Sequence, residues 1–203
     1  MEIFFIRIDN FVQNVDMSTI TKIFSSEKRC IEYSLGRFLT KLVAKNFYNI
    51  KNTDIIKINK KPQFTIQNLN FNISHSKNMV AVAFDSDDIG LDIEFIKPRN
   101  IEKFSKRFKM NFKTEAEFYQ YWTCFEAQYK SKSQNLASFK YKNYMISISS
   151  LSELKSQLKM YEVEVVQDKI NLQQVNNYNF DIFKINKIDT SELEFLLPLN
   201  VEI

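Results

Sequence analysis

Glycine is almost missing from this chain: its 203 residues contain only two, Gly36 and Gly90. A chain of this length with ordinary composition would carry about fourteen glycines. A dinucleotide-binding fingerprint needs three glycines within a few residues, and a Walker-type loop needs two. Gly36 and Gly90 are too far apart to serve in either motif. The chain is therefore excluded from the glycine-loop nucleotide-binding folds, and side chains must do most of the work of holding any phosphate ligand.

The remaining composition is that of a folded, mildly basic protein. Hydrophobic residues make up 44% of the chain, with 19 Phe and 9 Tyr, enough for one compact unit or two small halves sharing a core. The net charge is +4, without a long run of like charges. The apolar N-terminus contains charged residues and does not fit a signal peptide, and no apolar stretch is long enough to span a membrane. Because Cys30 and Cys124 are too few for a disulfide framework, and neither sits in a metal-ligand spacing, we expect a protein of a reducing compartment, the cytoplasm.

The N-terminal part of the chain changes from a strand pattern to a helical one. Residues 3–9 predict an opening strand, and a long helix follows that Ser25 or Ser26 is expected to cap. Apolar residues at helical spacing predict its buried stripe: Ile31, Leu35, Phe38, Leu39, Leu42 and Val43. A separate face carries basic and aromatic residues: Arg29, Tyr33, Arg37 and Lys41. Gly36 weakens this helix unless another segment approaches it closely.

Strands and helices alternate through the remainder of the chain. Three strands are predicted first: 71–73, 79–84 and 89–95. The acidic residues 85–88 favour a hairpin between the last two. Two helices are predicted next: 102–108, and 115–130 with a buried face formed by Phe118, Trp122, Phe125 and Tyr129. Two more strands follow at 144–148 and 161–166, so the pattern predicts an α+β fold of two similar-sized halves.

Two carboxylates occupy alternate positions of the segment Ile89–Glu94. In a strand, Asp92 and Glu94 face the same side with Cα atoms roughly 6.5–7 Å apart. Such a pair suits Mg²⁺, which commonly binds one or two carboxylates together with substrate phosphate oxygens. The alternative is a solvated strand face opposite the inward Leu91 and Ile93.

Glu126 and Lys130 are adjacent on the surface of the last predicted helix, because they are four residues apart. The simplest interpretation is a surface ion pair. The functional alternative is a carboxylate that binds a metal or accepts a proton, with an ammonium group one turn away that contacts a phosphate.

His75 is the only histidine of the chain, and Ser74 and Ser76 flank it. A single histidine is usually a surface residue or a satisfied one. Without a second histidine a His-based metal site is excluded, and no Ser-His-Asp arrangement can be argued.

These three segments, in this order, resemble the hallmark motifs of the surfactin-type (Sfp-like) 4′-phosphopantetheinyl transferases. They are FNISHS at 71–76, IGLDIE at 89–94 and WTCFEAQYK at 122–130. Lys61 and Pro62 match the end of a family Gly-Lys-Pro, residues 112–115 also match ahead of the last helix, and the helix bearing Arg37 resembles the family's early basic helix. The resemblance therefore extends from about residue 25 to residue 130.

The resemblance implies a fold and an activity. The fold would be two similar α/β halves related by a pseudo-two-fold axis: residues 1–87 with coenzyme A phosphate contacts, and 88–203 with the metal-binding carboxylates and carrier-protein contacts. The family acts as holo-[acyl-carrier-protein] synthase, moving the phosphopantetheine arm of coenzyme A to a serine of an apo acyl or peptidyl carrier protein. Adenosine 3′,5′-bisphosphate is released. The carrier could serve fatty-acid, polyketide or nonribosomal peptide synthesis, and a monomer is expected.

The resemblance also implies residue roles. Asp92, Glu94 and Glu126 would hold Mg²⁺ (or Mn²⁺) with the coenzyme A pyrophosphate. Glu126, or a metal-bound water that it controls, would take the proton from the carrier serine, and Lys130 would stabilise or protonate the departing phosphate. The implied coenzyme A contacts are Lys28, Arg29, Arg37, Lys61, Pro62, Ser74 and His75.

The chain departs from the family pattern at several positions. Phe125 replaces the lysine before the helix glutamate, Lys60 replaces the glycine before Lys61-Pro62, and the glycines that usually follow the helix are missing. These changes motivate an alternative: a weakened or non-catalytic member that binds coenzyme A or a carrier protein. A nucleic-acid binder is the last alternative, because no recognition motif supports it.

Overall fold

The computed structural model describes residues 1–16, 24–58, 61–65, 69–151, 158–165, 170–171, 183–188 and 194–196. The described helices are α1 Ile8–Asn14, α2 Glu27–Asn46, α3 Ile101–Phe108 and α4 Glu115–Ser131. The described strands are β1 Glu2–Arg7, β2 Val15–Asp16, β3 Ile55–Ile58, β4 Lys61–Phe64, β5 Asn70–Ser76, β6 Met79–Asp85, β7 Ile89–Phe95, β8 Leu136–Tyr141, β9 Tyr144–Ser150, β10 Lys159–Val165, β11 Ile170–Asn171, β12 Phe183–Ile188 and β13 Glu194–Leu196.

The opening strand β1 lies in the middle of a five-stranded sheet with the order β12–β10–β1–β6–β5. It runs parallel to β10 and antiparallel to β6. Phe4 and Ile6 pack into the core beneath α2, whereas Ile3 and Phe5 face a second sheet. Because both faces of β1 are covered, its apolar run is almost continuous. The predicted strand is confirmed over residues 3–7, but helix α1 begins at Ile8, so residues 8 and 9 are helical.

Helix α2 covers one face of this sheet. It begins after Ser26, which has an extended backbone at the N-cap position but makes no side-chain capping hydrogen bond. The predicted apolar stripe is buried from Leu35 to Val43, while Ile31 is half-buried. Gly36 meets β5 closely, since a Cβ atom there would lie 2.9 Å from Cγ2 of Ile73. A close approach by another segment, the condition under which a glycine suits this helix, is thus present at Gly36.

A four-stranded antiparallel sheet with the order β13–β8–β9–β7 forms the second layer. Its inner face, which includes Leu91, Ile93 and Ile148, packs against the inner face of the first sheet. Helix α4 covers its outer face. At Gly90 the helix comes so close that an added Cβ atom would lie 1.9 Å from the carbonyl oxygen of Ala127. The molecule is therefore layered, with a helix on each outer face of two stacked sheets.

The predicted hairpin between residues 79–84 and 89–95 is wrong. Strand β6 is already flanked by β1 and β5, so it has no free edge for β7. Strand β7 pairs instead with β9 along all seven of its residues. The acidic connection carries the chain from one sheet to the other, and Ser150 at the end of β9 donates a hydrogen bond (2.8 Å) to Asp85 at its start.

The predicted buried face of α4 is also mostly wrong. Phe118 is buried, but Trp122 and Phe125 are only half-buried and Tyr129 is 74% exposed. The face against the sheet carries small and polar side chains instead: Thr123, Cys124, Ala127, Gln128 and Ser131. Hydroxyls of β9 bond to this face, with 2.7 Å between the oxygens of Thr123 and Ser147. Small residues allow the close approach at Gly90, which large aromatics on that face would prevent.

The later strands return to the first sheet. The predicted strand at 144–148 is confirmed within β9, and the one at 161–166 is confirmed as far as Val165 in β10, since residue 166 lies outside the described residues. Strands β10 and β12 extend the sheet that begins with β1, so the five-stranded sheet takes strands from both predicted halves, 1–87 and 88–203. The α+β class is confirmed, and the pseudo-two-fold relation stays a prediction. Within the described residues, no helix combines the length and apolar character needed to cross a membrane.

Candidate functional site

The two sheets join along a seam where β5 lies beside β7. Each of these strands is the edge of its sheet, and an edge strand leaves backbone N–H groups without ladder partners. Side chains of β5 take up these groups at alternate positions: Leu91 N–H donates to Asn72 Oδ1 (3.1 Å), Ile93 N–H to Ser74 Oγ (3.2 Å) and Phe95 N–H to Ser76 Oγ (3.0 Å). The alternating polar residues of FNISHS therefore bind the backbone of the strand that carries the carboxylates.

The two serine hydroxyls of the seam also hold the two carboxylates. Ser74 Oγ donates to Asp92 Oδ1 (3.1 Å), and Ser76 Oγ donates to Glu94 Oε2 (2.8 Å). Each hydroxyl thus accepts one hydrogen bond and donates one, which fixes its orientation. Ser74, a predicted coenzyme A contact, is buried and bonded to Asp92. Ser76 was missed by the sequence reasoning, although its two-residue spacing from Ser74 was the available signal.

Lys130 of α4 reaches the same carboxylate. Its Nζ donates to Asp92 Oδ1 (2.7 Å) and to the carbonyl oxygen of Leu91 (2.9 Å). The predicted surface pair between Glu126 and Lys130 is therefore not the main contact of this ammonium group. Three segments that are far apart in the chain meet at Asp92, through Ser74 from β5 and Lys130 from α4.

Asp92 lies in a poorly solvated position, with 7% of its surface exposed. Burial raises the pKa of its carboxyl to about 6, with the charge of Glu94 adding to the rise; Lys130 and the Ser74 hydroxyl act in the opposite direction. Its second oxygen, Oδ2, is buried and has no hydrogen-bond partner among the described residues. A buried carboxylate oxygen without a donor is costly unless a cation or ligand meets it.

Oδ2 of Asp92, which has no hydrogen-bond donor among the described residues, is the atom that a magnesium ion could contact. A hard cation fits a free carboxylate oxygen, and one or two carboxylates suffice when substrate phosphates supply further oxygens. Asp92 and Glu94 therefore fit such an ion. No group of three or more His, Cys, Asp or Glu side chains within the described ranges could hold a metal by itself. Glu126, half-buried on α4, is thus not gathered with Asp92 and Glu94 into one ligand set in this structure.

His75 projects to the other side of β5, toward α2. Its Nδ1 lies 3.4 Å from Oε2 of Glu32, and Nζ of Lys28 lies 3.6 Å from Oε1 of the same carboxylate. The Glu32 side chain is 6% exposed and the His75 side chain 46%. Glu32 was missed by the sequence reasoning, because it falls between the apolar stripe and the basic face of the helix. Glu32 therefore holds His75, a predicted coenzyme A contact, and leaves much of the His75 ring accessible.

A cavity of about 380 Å³ lies beside the basic face of α2. Arg37 and Lys41 line it together with Tyr33, Asp54 and Ile55. The guanidinium carbon of Arg37 lies 5.3 Å from the centre of the Tyr33 ring, a cation–π distance. Arg29 on the same face is exposed. The predicted basic face of α2 is thus accessible and borders a cavity.

Lys61 is engaged with the protein itself. Its Nζ contacts the Asp88 carboxylate and donates to the carbonyl oxygens of Ile89 (3.1 Å) and Lys130 (3.0 Å). An ammonium group has three N–H donors, so these acceptors use them all. Lys61 therefore fastens the β3–β4 hairpin to the start of β7 and the end of α4, and its neighbour Pro62 pairs with Lys57 within that hairpin.

Phe125 occupies the position where a lysine was expected. Its ring stacks against Trp122 with 6.1 Å between centroids. No cation is therefore supplied to the site from this position.

Two curated relatives resemble the chain, while a comparison with models of known protein families finds no match. The 4′-phosphopantetheinyl transferase ffp of Bacillus subtilis is 30% identical over 162 residues, which cover 68% of this chain and 72% of that relative. The 4′-phosphopantetheinyl transferase HetI of Nostoc sp. (strain PCC 7120) is 31% identical over 88 residues, 37% of each chain. The chain therefore belongs to the 4′-phosphopantetheinyl transferase family.

Proposed function

We propose that this protein transfers the 4′-phosphopantetheine arm of coenzyme A to a serine of an apo acyl or peptidyl carrier protein. One observation carries the proposal: Ser74 of β5 and Lys130 of α4 both donate hydrogen bonds to Oδ1 of Asp92, so the three sequence segments meet at one carboxylate. The names of both relatives support the same transfer.

Asp92 and Glu94 would hold a magnesium ion with oxygens of the coenzyme A pyrophosphate, and Glu126 would complete the ligand set. When bound, such an ion neutralises charge on the phosphate under attack. Ser74 and Ser76 keep the two carboxylates oriented toward this task through the hydrogen bonds of the seam. Mn²⁺ would be expected to substitute, since it accepts the same oxygen ligands.

The chemical step is a phosphoryl transfer that forms one P–O bond and breaks another. The carrier serine oxygen bonds to the phosphorus next to the pantetheine arm, and the bond from that phosphorus to the oxygen of the adenosine phosphate breaks. Glu126 takes the proton of the serine hydroxyl. Lys130 neutralises or protonates the departing adenosine 3′,5′-bisphosphate, which requires its ammonium to turn from Asp92 toward that phosphate.

Coenzyme A would be held mainly by side chains of α2 and β5. His75, Arg37, Lys28 and Arg29 would contact its phosphates, and the cavity beside Arg37 gives room for an anion next to an aromatic ring. Lys61 and Pro62 would act at the edge of this region by fixing the β3–β4 hairpin. The coenzyme A contacts would thus come from residues 1–87, and the metal and carrier contacts from residues 88–203.

We further propose that the protein works as a cytoplasmic monomer, without nucleic acid or membrane. Both cysteines are buried thiols that form no disulfide within the described residues, which fits a reducing compartment.

The direct test is incubation of the purified protein with coenzyme A, Mg²⁺ and a panel of apo carrier proteins, followed by mass spectrometry. At least one carrier is expected to gain the mass of one phosphopantetheine group, and EDTA should prevent the gain. Asp92→Asn should abolish the gain, because the amide keeps the shape but not the charge. A wild-type protein that modifies no carrier would overturn the proposal, and a fully active D92N variant would remove the assignment of Asp92.

Phe125 favours a second candidate, a relative that binds coenzyme A or a carrier without transfer. The stacked pair of Phe125 and Trp122 supplies no cation where the family pattern has lysine. Calorimetric binding of coenzyme A without any carrier product would favour this candidate. Restoring the lysine by Phe125→Lys should then yield product, since the position is half-buried and can accept a long side chain.

A further inference from the structure

A second basic cavity, of about 250 Å³, lies at the C-terminal end of β5. It forms where the β5–β6 and β8–β9 turns meet the ends of β1 and β7. Its polar lining consists of Arg7, Lys77, Asn78, Lys142 and Asn143, and Phe95 contributes an aromatic wall. No acidic side chain is among the described residues that line it.

The two turns are built alike, each with the dipeptide Lys-Asn between its strands. Lys77 and Lys142 both have a left-handed backbone, with φ of 52° and 53°. Glycine, asparagine or aspartate fits this conformation better than lysine. Both turns nevertheless place a lysine at this position, and both lysines line the same cavity.

The positive charges of Lys77 and Lys142 are not neutralised by carboxylates of the described residues. Nζ of Lys77 lies 3.6 Å from the centre of the Phe95 ring, and Nζ of Lys142 lies 5.0 Å from that of Tyr141. Within the part of the chain that the structure describes, neither forms an ion pair with a carboxylate. Arg7 is the partly neutralised member, with its Nε 3.3 Å from Glu162. The cavity thus attracts anionic groups.

The cavity lies next to the two carboxylates of the seam, and this position indicates which molecule would bind there. Lys77 directly follows Ser76, and Phe95 directly follows Glu94, so the cavity begins one residue beyond the seam that holds the carboxylates. Under the proposed function the serine that accepts the phosphopantetheine arm reaches these carboxylates, so the polypeptide beside that serine would lie next to the cavity. Resting on the proposed function, and extending the carrier contacts beyond residues 88–203 to Arg7 and Lys77, we propose that this cavity, which Lys142 also lines, is the docking site for an acidic segment of the carrier protein beside its acceptor serine.

The test removes the two charges without disturbing the turns. Lys77→Asn and Lys142→Asn, alone and together, keep a residue that tolerates a left-handed backbone. Lys109→Asn is the matched control, because Lys109 also has a left-handed backbone (φ 55°) and is exposed but lies outside the cavity. Steady-state transfer from coenzyme A to an apo acyl carrier protein, and anisotropy of the same carrier carrying a fluorescent label, are measured for each variant at two salt concentrations.

The double variant is expected to raise the KM and the Kd for the carrier about three- to tenfold, the range for two exposed ion pairs, and to weaken their salt dependence. The KM for coenzyme A and all values for K109N should stay unchanged. An unchanged carrier Kd overturns the docking site, and a KM that rises for coenzyme A assigns the cavity to the nucleotide instead. Because the anisotropy needs no turnover, a protein that binds the carrier through these lysines but never modifies it would refute the proposed transfer and leave the docking site standing.

Discussion

Asp92 and Glu32 are among the buried carboxylates of the described residues, and their partners differ in kind. Oδ1 of Asp92 accepts from Ser74 and Lys130, while Oδ2 has no donor in the part of the chain that the structure describes. Glu32 uses its two oxygens separately, one toward His75 and one toward Lys28. Asp92 is therefore a group whose ionisation is costly until a ligand arrives, whereas Glu32 is a group already compensated by cationic or donor side chains.

The raised pKa of Asp92 predicts a specific pH dependence of stability. Because the folded pKa of about 6 lies above the 3.8 of an unperturbed aspartate, the folded protein binds a proton more tightly than the unfolded one. Stability then falls as the pH rises from 4 to 6, by up to about 3 kcal/mol. Urea unfolding in EDTA should show this fall in the wild type relative to Asp92→Asn, which cannot ionise. Parallel curves for the two proteins would contradict the environment described for Asp92.

Glu32 is expected to act on coenzyme A through His75. Glu32→Gln weakens the contact that orients the ring and should lower coenzyme A affinity about fivefold, the effect of one hydrogen bond of about 1 kcal/mol. In a His75→Ala background the same change should have little further effect, which isothermal calorimetry on the four proteins of the cycle would reveal. Lys28→Gln is the control for the other partner of Glu32. Equal losses from E32Q with and without His75 would exclude the positioning role. Since the chain has one histidine, its ring signals in NMR spectra report the reorientation directly.

At the scale of elements, the site depends on how closely α4 and β5 approach β7. Helix α4 brings Lys130 to Asp92 only because Gly90 and the small residues facing it let the helix sit on the strand. Strand β5 contributes side-chain hydroxyls where a neighbouring strand would contribute backbone carbonyls. The carboxylate strand is thus held from both sides by contacts that larger side chains would abolish.

The two glycines predict contrasting effects of the same substitution. Gly90→Ala would place a methyl group against the backbone oxygen of Ala127, so α4 must move; we expect a loss of roughly 3 kcal/mol of stability and of most transfer activity. Gly36→Ala meets only a side-chain methyl of Ile73, and the gain in helix propensity of about 1 kcal/mol offsets much of that contact. Urea denaturation of both variants measures the difference. Equal destabilisation of G90A and G36A would refute the claim that backbone proximity at Gly90 positions the helix.

The sequence predicted the strands and helices around the site better than it predicted which of them lie side by side. Strands β5, β6 and β7 and helices α2 and α4 follow from local hydrophobic patterns. The partner of β7 does not, because the acidic connection 85–88 is equally compatible with a hairpin and with a crossing between sheets. The aromatic spacing of α4 also misled: Trp122 and Phe125 lie at the half-buried margin, and the helix packs through hydroxyls and alanine instead. Asp92, Glu94, Glu126 and Lys130 stood out in the sequence, but Ser76 and Glu32 gain their significance only from tertiary contacts.

At the scale of the whole molecule, the chain closes on itself. The first sheet begins with β1 and is completed by β10 and β12, so its five strands come from both ends of the described chain. The second sheet shares a core with it through Ile3 and Phe5. Neither sheet can lose its partner without exposing that core, so the molecule should unfold as one unit.

The two buried thiols test this cooperativity. Cys30 lies in α2 and Cys124 in α4, on opposite outer layers, and both are at most 1% exposed. Burial raises the pKa of the Cys124 thiol, which further suppresses its reaction in the folded state. We expect both thiols to react with a disulfide reagent at the same rate in moderate urea, and saturating coenzyme A to slow both equally. Mass spectrometry of singly labelled protein would contradict a single unfolding unit if one cysteine reacted well before the other.

The single tryptophan gives the molecule a built-in optical reporter. Trp122 lies one helical turn before Glu126, half-buried between the rings of Phe108 and Phe125. Its emission therefore arises from the helix that carries Glu126 and Lys130, without contribution from any other indole. Ligand arrival at this helix can be timed in a stopped-flow fluorimeter on the unmodified protein, which separates the moment of binding from the moment of transfer.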